Sequence, residues 1–148
     1  MIWKPHVTVA AVIEDNGRFL LVEEHIAGQR VYNQPAGHLE QGESLVDAVV
    51  RETLEETAWH FQPVALIGLY RWHQPETDTT YLRVAFSGPG LFHESGRPLD
   101  TDIERIVWMT EVEIREQAES LRSPLVLKSI DDYLAGAAYS LDLLADVE

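Results

Sequence analysis

The chain has 148 residues, of which 45% are hydrophobic and 24% charged, a composition typical of a globular protein with a sizeable core. Its formal net charge of −14 excludes most nucleic-acid-binding classes, which need clustered lysine and arginine. It has no cysteine for disulfides or thiolate metal sites, and no apolar run of about 18 residues that could span a membrane. We therefore expect one domain over residues 1–148 in the cytoplasm, without nucleic-acid or membrane partners and with no prediction of oligomeric state.

The N-terminal part has the pattern of short strands separated by turns. Apolar and β-branched residues fill the stretch from Val7 to Ile13, as in a buried strand, and Asn16-Gly17 favours a tight hairpin turn. In order, the pattern predicts a strand at 7–13, a turn at 15–17, a strand at 19–22, a loop or hairpin end at 26–30, and a short strand at 31–34 that stops at Pro35.

One central helix is predicted after this strand-rich part. Ser44 is its expected N-cap, and the helix ends near Ala58 because Pro63 prevents its continuation. Valine and leucine recur every four residues along it and are expected to face the core. The predicted core-facing residues are Val46, Val50 and Leu54, while Leu45, Ala48 and Val49 are expected to pack under the preceding loop.

The second half returns to strands and ends in helices. The pattern predicts strands at 64–72 and 81–86 joined by a turn at 74–80, a loop at 87–102, a strand at 103–109, a short helix at 111–117, a helix from Ser123-Pro124 to about Leu134, and a loosely structured tail to Glu148. Strands interrupted by one helix and followed by C-terminal helices indicate an α+β or α/β layered fold, with sheet between helices.

The C-terminal half of the central helix carries three acids on one side. Because each helical residue advances by about 100°, Glu52, Glu55 and Glu56 fall within one sector of roughly that width. Like charges at this spacing repel by a few tenths of a kcal/mol, so helix stability does not explain them. A hard divalent cation does, because it prefers oxygen ligands. The alternative interpretation is an ordinary surface helix whose charges form salt bridges.

The spacing of these acids from Gly37, Glu43 and Arg51 resembles the Nudix hydrolase motif, G-x5-E-x7-R-E-U-x-E-E-x-G-U, where U is a bulky apolar residue. Two positions depart from the motif: Thr53 stands at its first apolar position and Ala58 at its late glycine. The segments 33–40 and 121–126 also resemble the NudJ phosphatase subgroup of that family.

The resemblance implies an α/β fold of the Nudix type, an α/β/α sandwich with a mixed central sheet and the Nudix loop-helix. It further implies a Mg²⁺-dependent enzyme, with Mn²⁺ as a substitute, that directs water onto phosphorus and cleaves a pyrophosphate bond. The implied partner is a small-molecule phosphate substrate. Nucleoside tri- or diphosphates and small organic pyrophosphates such as hydroxymethylpyrimidine pyrophosphate are the implied substrates.

The resemblance also assigns roles to the motif residues. Arg51, Glu52, Glu55 and Glu56 are the implied catalytic residues; the three glutamates and the Gly37 carbonyl hold the metal, and Glu43 supports the loop. A further carboxylate is expected from a late loop, with Asp102 and Glu104 as candidates. The general base is either Glu52 or a downstream carboxylate, and the sequence leaves this open.

Three residues outside the motif are candidates for substrate binding. Trp72 and Tyr81 can stack on a heterocyclic base, and Arg83 can contact phosphate oxygens. The alternatives are core or rim positions for the aromatic residues and a solvated surface cation for Arg83. The competing hypothesis for the whole chain is a non-hydrolytic nucleotide-binding or regulatory module of Nudix type. Such a module should have lost ligand carboxylates, and this chain retains all three.

Overall fold

The computed structural model describes residues 1–148, whose strands form two four-stranded sheets and one two-stranded sheet. The strands are β1 (His6–Val12), β2 (Glu14–Asp15), β3 (Arg18–Ile26), β4 (Gln29–Asn33), β5 (Ala36–His38), β6 (Trp59–Phe61), β7 (Ala65–Gln74), β8 (Thr79–Ser87), β9 (Gly90–His93) and β10 (Ile103–Thr110). The helices are α1 (Leu45–Thr57), α2 (Glu111–Glu116) and α3 (Leu125–Leu134). None of the helices is both long and apolar enough to cross a membrane.

The first sheet has the strand order β5-β1-β8-β7 and is mixed, because β1 pairs with β8 in parallel while the other neighbours are antiparallel. Its register brings distant residues side by side. Thr8 pairs with His38 on one side and with Arg83 on the other, and Tyr81 lies opposite Trp72. The sheet therefore gathers the loop before α1 and the two aromatic candidates at one end.

The second sheet is antiparallel and centres on β3, which pairs with β2, β4 and β10. In the β3–β4 hairpin Val22 pairs with Asn33. Asn33 is the last residue of β4, so it lies just before the turn into β5.

Helices cover the sheets on both sides. One hydrophobic cluster contains Ala48 and Val49 of α1, and the other contains Ile114 of α2 and Ile130 of α3. Strand β1 contributes to both clusters, because successive side chains of a strand point to opposite faces. This arrangement confirms the predicted α/β/α sandwich with a mixed sheet.

The predicted core face of α1 is confirmed only at Val46, which packs against the hydrophobic cluster containing Ala48 and Val49. The fully buried residues of the helix are Ala48, Val49, Thr53 and Thr57, whereas Val46, Val50 and Leu54 are only half-buried. The buried face of α1 thus consists mostly of small side chains. The largest apolar side chains therefore did not mark the buried face.

Residues 26–30, predicted as a loop or hairpin end, form the tight turn at Ala27-Gly28 that closes the β3–β4 hairpin. Two other segments are more ordered than expected. Residues 87–102, predicted as a loop, contain β9, which pairs with the unpredicted β6. The tail is docked: Tyr139 exchanges two backbone hydrogen bonds of 2.8 Å with Leu66. These pairings join residues distant in sequence, so local patterns did not reveal them.

The two predicted ends of α1 are confirmed. The Ser44 hydroxyl accepts a hydrogen bond of 3.0 Å from the Asp47 amide, which caps α1. At the other end, Ala58 adopts the left-handed conformation with φ of 62°, and its amide donates to the Leu54 carbonyl. Ala58 thus has the backbone conformation in which glycine is usual at a helix C-terminus.

Candidate active site

Strand β5 lies directly against the acidic side of α1. A Cβ atom added to Gly37 would lie 2.0 Å from Cδ of Glu52, so only glycine allows this approach. The backbone amide of Ala36 donates a hydrogen bond of 2.9 Å to Oε1 of Glu56. The missing side chain at Gly37 and the amide of Ala36 together position two of the three predicted carboxylates.

Arg51 ties the loop to the helix. Its Nε and Nη2 donate to the two carboxylate oxygens of Glu43 at 2.9 and 2.7 Å. Its Nη1 donates at 2.9 Å to Oε1 of Glu52 and also to Oε1 of Glu55, while Nη2 reaches the His38 carbonyl at 3.1 Å. The arginine lowers the pKa of Glu43, which also accepts from a loop amide. All three guanidinium nitrogens of Arg51 therefore donate hydrogen bonds to protein groups.

Three carboxylates converge beside the contact between β5 and α1. Glu52, Glu56 and Asp100 each offer an oxygen atom, and these atoms lie within 4.8 Å of one another. Asp100 is held here because its amide donates a hydrogen bond of 3.0 Å to the Glu55 carbonyl, which docks its loop onto α1. Glu55 itself lies outside the group of three.

Asp100 was not predicted from the sequence. The predicted late carboxylates were Asp102 and Glu104, two and four residues further along the chain. The acid lies in an irregular loop, and no periodic pattern indicates which acid of such a loop turns toward the helix. The only signal was the general expectation of one late carboxylate.

Burial and mutual repulsion favour protonation of these three acids. The pKa of Glu56 is raised to about 9, mainly by burial, with the charges of Glu52 and Asp100 contributing to the rise and the hydrogen bond from the Ala36 amide opposing it. Burial also raises the pKa of Glu52 and of Asp100. A divalent cation would relieve this repulsion, and the three carboxylate oxygens match the ligands that hard cations prefer.

The carboxylates border a cleft of about 360 Å³, a size within the range of roughly 300–1,000 Å³ found for small-molecule sites. Of the residues named from the sequence, the cleft is lined by Gly37, Glu52, Glu56, Trp72, Tyr81, Arg83 and Asp102. The residues that do not line it are Glu43, Arg51, Glu55 and Glu104.

Trp72 and Tyr81 form an aromatic wall on this cleft. They are cross-strand partners on β7 and β8, and their rings stack with centroids 5.6 Å apart and planes 20° apart. Both side chains are half-buried, so each keeps ring surface at the cleft. The pair can hold a flat heterocycle by stacking.

Arg83 is not a solvated surface cation, so that alternative interpretation was wrong. It is only 5% exposed, and it donates hydrogen bonds of 3.0 Å to Oε1 of Gln34 and 3.2 Å to Oδ1 of Asn33. Both faces of β8 are buried from Arg83 to Ser87, so either face would have covered this side chain. A charged residue on a strand gives no sequence signal that it lies in such a covered part of the sheet.

Comparison with known proteins agrees with this geometry. Residues 4–128 match the NUDIX domain family. The chain is 44% identical over 144 residues to a protein named phosphatase NudJ from Escherichia coli K12, covering 97% of this chain and 93% of that protein.

Solved structures give the same result. A NUDIX hydrolase from Nitrosomonas europaea superimposes with a TM-score of 0.95 at 49% identity, covering 97% of this chain and 98% of that one. The NUDIX domain of Shewanella oneidensis NrtR, solved with ADP ribose, shares the fold with a TM-score of 0.70 at 16% identity, covering 90% of this chain and 89% of that one. The chain therefore belongs to the Nudix hydrolase family and is a hydrolase that acts on phosphorus anhydrides.

Proposed function

We propose that this hydrolase is a Mg²⁺-dependent pyrophosphohydrolase, formed by residues 1–148 as a single domain, in which Mn²⁺ can replace Mg²⁺. Its proposed substrates are nucleoside tri- or diphosphates and small organic pyrophosphates, including hydroxymethylpyrimidine pyrophosphate. The observation that carries the proposal is the convergence of Glu52, Glu56 and Asp100 at one end of a cleft that also contains an aromatic wall.

The proposed metal ligands are the carboxylates of Glu52, Glu56 and Asp100 and the carbonyl of Gly37. Glu55 remains a proposed ligand, although its carboxylate accepts a hydrogen bond from Arg51 in this structure. When bound, a divalent cation neutralises phosphate charge and lowers the pKa of a water molecule.

The chain's own residues position the reacting groups. Arg51 keeps the carboxylates of Glu52 and Glu55 in place while it anchors the loop through Glu43. We propose Glu52 or Asp100 as the general base, because both carboxylates line the cleft where the attacking water must lie. In either case a carboxylate oxygen accepts the proton of that water as the new oxygen–phosphorus bond forms, while the bridging phosphorus–oxygen bond breaks and its electron pair leaves with the departing phosphate.

Substrate choice is proposed from the cleft and the relatives. The stacked rings of Trp72 and Tyr81 suit a flat heterocycle, which both nucleotides and hydroxymethylpyrimidine pyrophosphate contain. The name of the NudJ relative supports phosphate release, and the ADP-ribose complex of the NrtR domain adds ADP-ribose to the compounds worth testing.

The test is a turnover assay with purified protein and Mg²⁺. GTP, GDP, ADP-ribose, a dinucleoside polyphosphate and hydroxymethylpyrimidine pyrophosphate are offered, and release of phosphate or pyrophosphate is followed. We expect Glu56→Gln to lower kcat/KM by at least about 100-fold while the fold stays intact. Glu116→Gln, an exposed acid on α2, is the matched control. The proposal would be refuted if the wild type turned over none of these compounds and Glu56→Gln gave the same result.

A further inference from the structure

Arg83 is a buried cation whose hydrogen-bond partners are neutral. Both side-chain hydrogen bonds of its guanidinium go to amide oxygens, those of Gln34 and Asn33. Elsewhere in this acidic chain, arginines near buried groups face carboxylates, as Arg51 faces Glu43 and Arg105 faces Glu23. The positive charge of Arg83 therefore remains without a direct counter-ion inside the protein.

The charge is present at neutral pH. Burial, assisted by the nearby charge of Arg122, lowers the pKa of Arg83 to about 10, which still leaves the guanidinium protonated. Glu56 is near enough to favour the charged form, but it does not hydrogen-bond to Arg83. A buried charge without an ion-pair partner is costly, and an anion that binds in the cleft would remove that cost.

Arg83 also has donors to spare. A guanidinium carries five N–H groups in a flat fork. Its Nε has no hydrogen-bond partner although it is shielded from solvent, and its two hydrogen bonds use only one N–H each of Nη1 and Nη2. A phosphate group suits such a fork because its oxygens accept parallel hydrogen bonds from it.

Hydrogen bonds hold the residues around Arg83 in place. Gln34, which holds Arg83, is itself anchored by a hydrogen bond of 2.9 Å from its Nε2 to the Val126 carbonyl in α3. Arg122, just before α3, lines the same cleft, but its charge is already paired with Glu24 at 3.2 Å. Arg83 and Arg122 are the two arginines of the cleft wall, and the acidic group of Glu52, Glu56 and Asp100 lines the same cleft.

Given the hydrolase function proposed above, we propose that Arg83 binds the phosphate group of the substrate that is not attacked. The pyrophosphate of an organic pyrophosphate or nucleotide then lies between the acidic group and Arg83. Asn33 and Gln34 are positioning residues: their neutral amides hold the guanidinium without cancelling its charge. A carboxylate at either position would hold Arg83 equally well but would compete with the phosphate.

The test measures binding rather than turnover. The probe is imidodiphosphate, a pyrophosphate analogue with a P–N–P bridge, titrated calorimetrically into the full chain with saturating Mn²⁺, and Mn²⁺ binding is measured separately. We expect Arg83→Gln to weaken imidodiphosphate binding by at least about ten-fold. Arg83→Lys, which keeps the charge but loses the fork, should retain intermediate affinity.

Two controls make the result specific. Arg71→Gln makes the same change at an exposed arginine of β7 outside the cleft and should leave both affinities within about two-fold of the wild type. Mn²⁺ affinity should be unchanged in every variant, because Arg83 is not a ligand. Circular dichroism establishes which variants fold.

Two results would overturn the proposal. One is imidodiphosphate affinity within about two-fold of the wild type in folded Arg83→Gln or, if that variant does not fold, in Arg83→Lys. The other is a parallel loss of Mn²⁺ affinity, which would mean that Arg83 acts through the acidic group. The hydrolase proposal is judged separately by wild-type turnover, so that turnover combined with unaltered imidodiphosphate binding refutes only the role of Arg83.

Discussion

Asp100 is the residue that most changes the predicted site. Its carboxylate joins those of Glu52 and Glu56, whereas Glu55 is engaged by Arg51 and Glu104 lies outside the cleft. We expect Asp100→Asn to reduce kcat/KM by at least about ten-fold and to weaken Mn²⁺ binding, because it removes one charge from the group. Steady-state kinetics and Mn²⁺ titration measure both effects.

Variants of the neighbouring acids show which of the late carboxylates contributes to activity. Asp102→Asn and Glu104→Gln test the two candidates named from the sequence, and Glu116→Gln reports any general effect of losing a negative charge. Loss of activity in Glu104→Gln together with wild-type behaviour of Asp100→Asn would contradict the assignment made from the geometry.

Two buried threonines of α1 should respond oppositely to the same substitution. Both are 0% exposed, but the Thr53 hydroxyl has no hydrogen-bond partner, whereas the Thr57 hydroxyl donates to the Thr53 carbonyl at 2.6 Å. We expect Thr53→Val to raise the free energy of unfolding by about 1 kcal/mol, because it removes a buried unsatisfied hydroxyl without changing shape. Urea unfolding of the purified variants measures this.

Thr57→Val is the matched control. It should lower the free energy of unfolding by about 1–2 kcal/mol, since the Thr57 hydroxyl also accepts from the Trp59 amide. Equal shifts in the same direction for both variants would show that the hydrogen-bond difference does not decide their stability.

At the scale of elements, α1 and the loop before it were largely predictable. The spacing of Glu52 and Glu56 puts both acids on one side of any helix, and Ser44 and Ala58 marked its ends. Strands β6 and β9 were not predictable, because each is stabilised by pairing with the other across more than 25 intervening residues. The short length of each strand also leaves little pattern to detect.

The contact between β7 and α3 should make stability depend on pH. The Tyr70 hydroxyl donates a hydrogen bond of 2.6 Å to Oδ2 of Asp132, and this bond, with a smaller effect of Lys128, lowers the pKa of Asp132. A lowered pKa in the folded state contributes stability above the unfolded value of about 3.9. That contribution is lost as the pH falls through the folded value.

We therefore expect Tyr70→Phe to lower the free energy of unfolding by about 1 kcal/mol at neutral pH and by less at an acid pH at which the Asp132 carboxylate of the folded protein is protonated. Urea unfolding at both pH values measures the difference. Tyr139→Phe is the control, because Tyr139 is exposed and uses its backbone, not its hydroxyl, to bind β7. A destabilisation by Tyr70→Phe that is the same at both pH values would argue against this linkage.

At the scale of the whole molecule, a divalent cation bound to the acidic group of Glu52, Glu56 and Asp100 should stabilise the folded chain, whose net charge is −14. A ligand at about 100 times its dissociation constant adds roughly 2.7 kcal/mol, which for a chain of this size corresponds to about 5–10 °C in Tm. We expect saturating Mg²⁺ to raise Tm by that amount over the protein in EDTA. Differential scanning fluorimetry measures the shift.

Sodium chloride at equal ionic strength controls for general screening of surface charge. Glu56→Gln should abolish most of the Mg²⁺ effect while leaving the sodium chloride effect unchanged. An equal rise from both salts, or a full Mg²⁺ effect in Glu56→Gln, would count against a specific cation site.

The sequence by itself determined the family, the layered fold and the motif residues, because these depend on local spacing. Residues three or four apart on a helix share a side whatever surrounds them, and cap residues act within one turn. Tertiary structure alone decided that Asp100 joins Glu52 and Glu56, and that Arg83 lies buried against Asn33 and Gln34. These groupings depend on loop docking and strand register, which bring together residues distant in sequence.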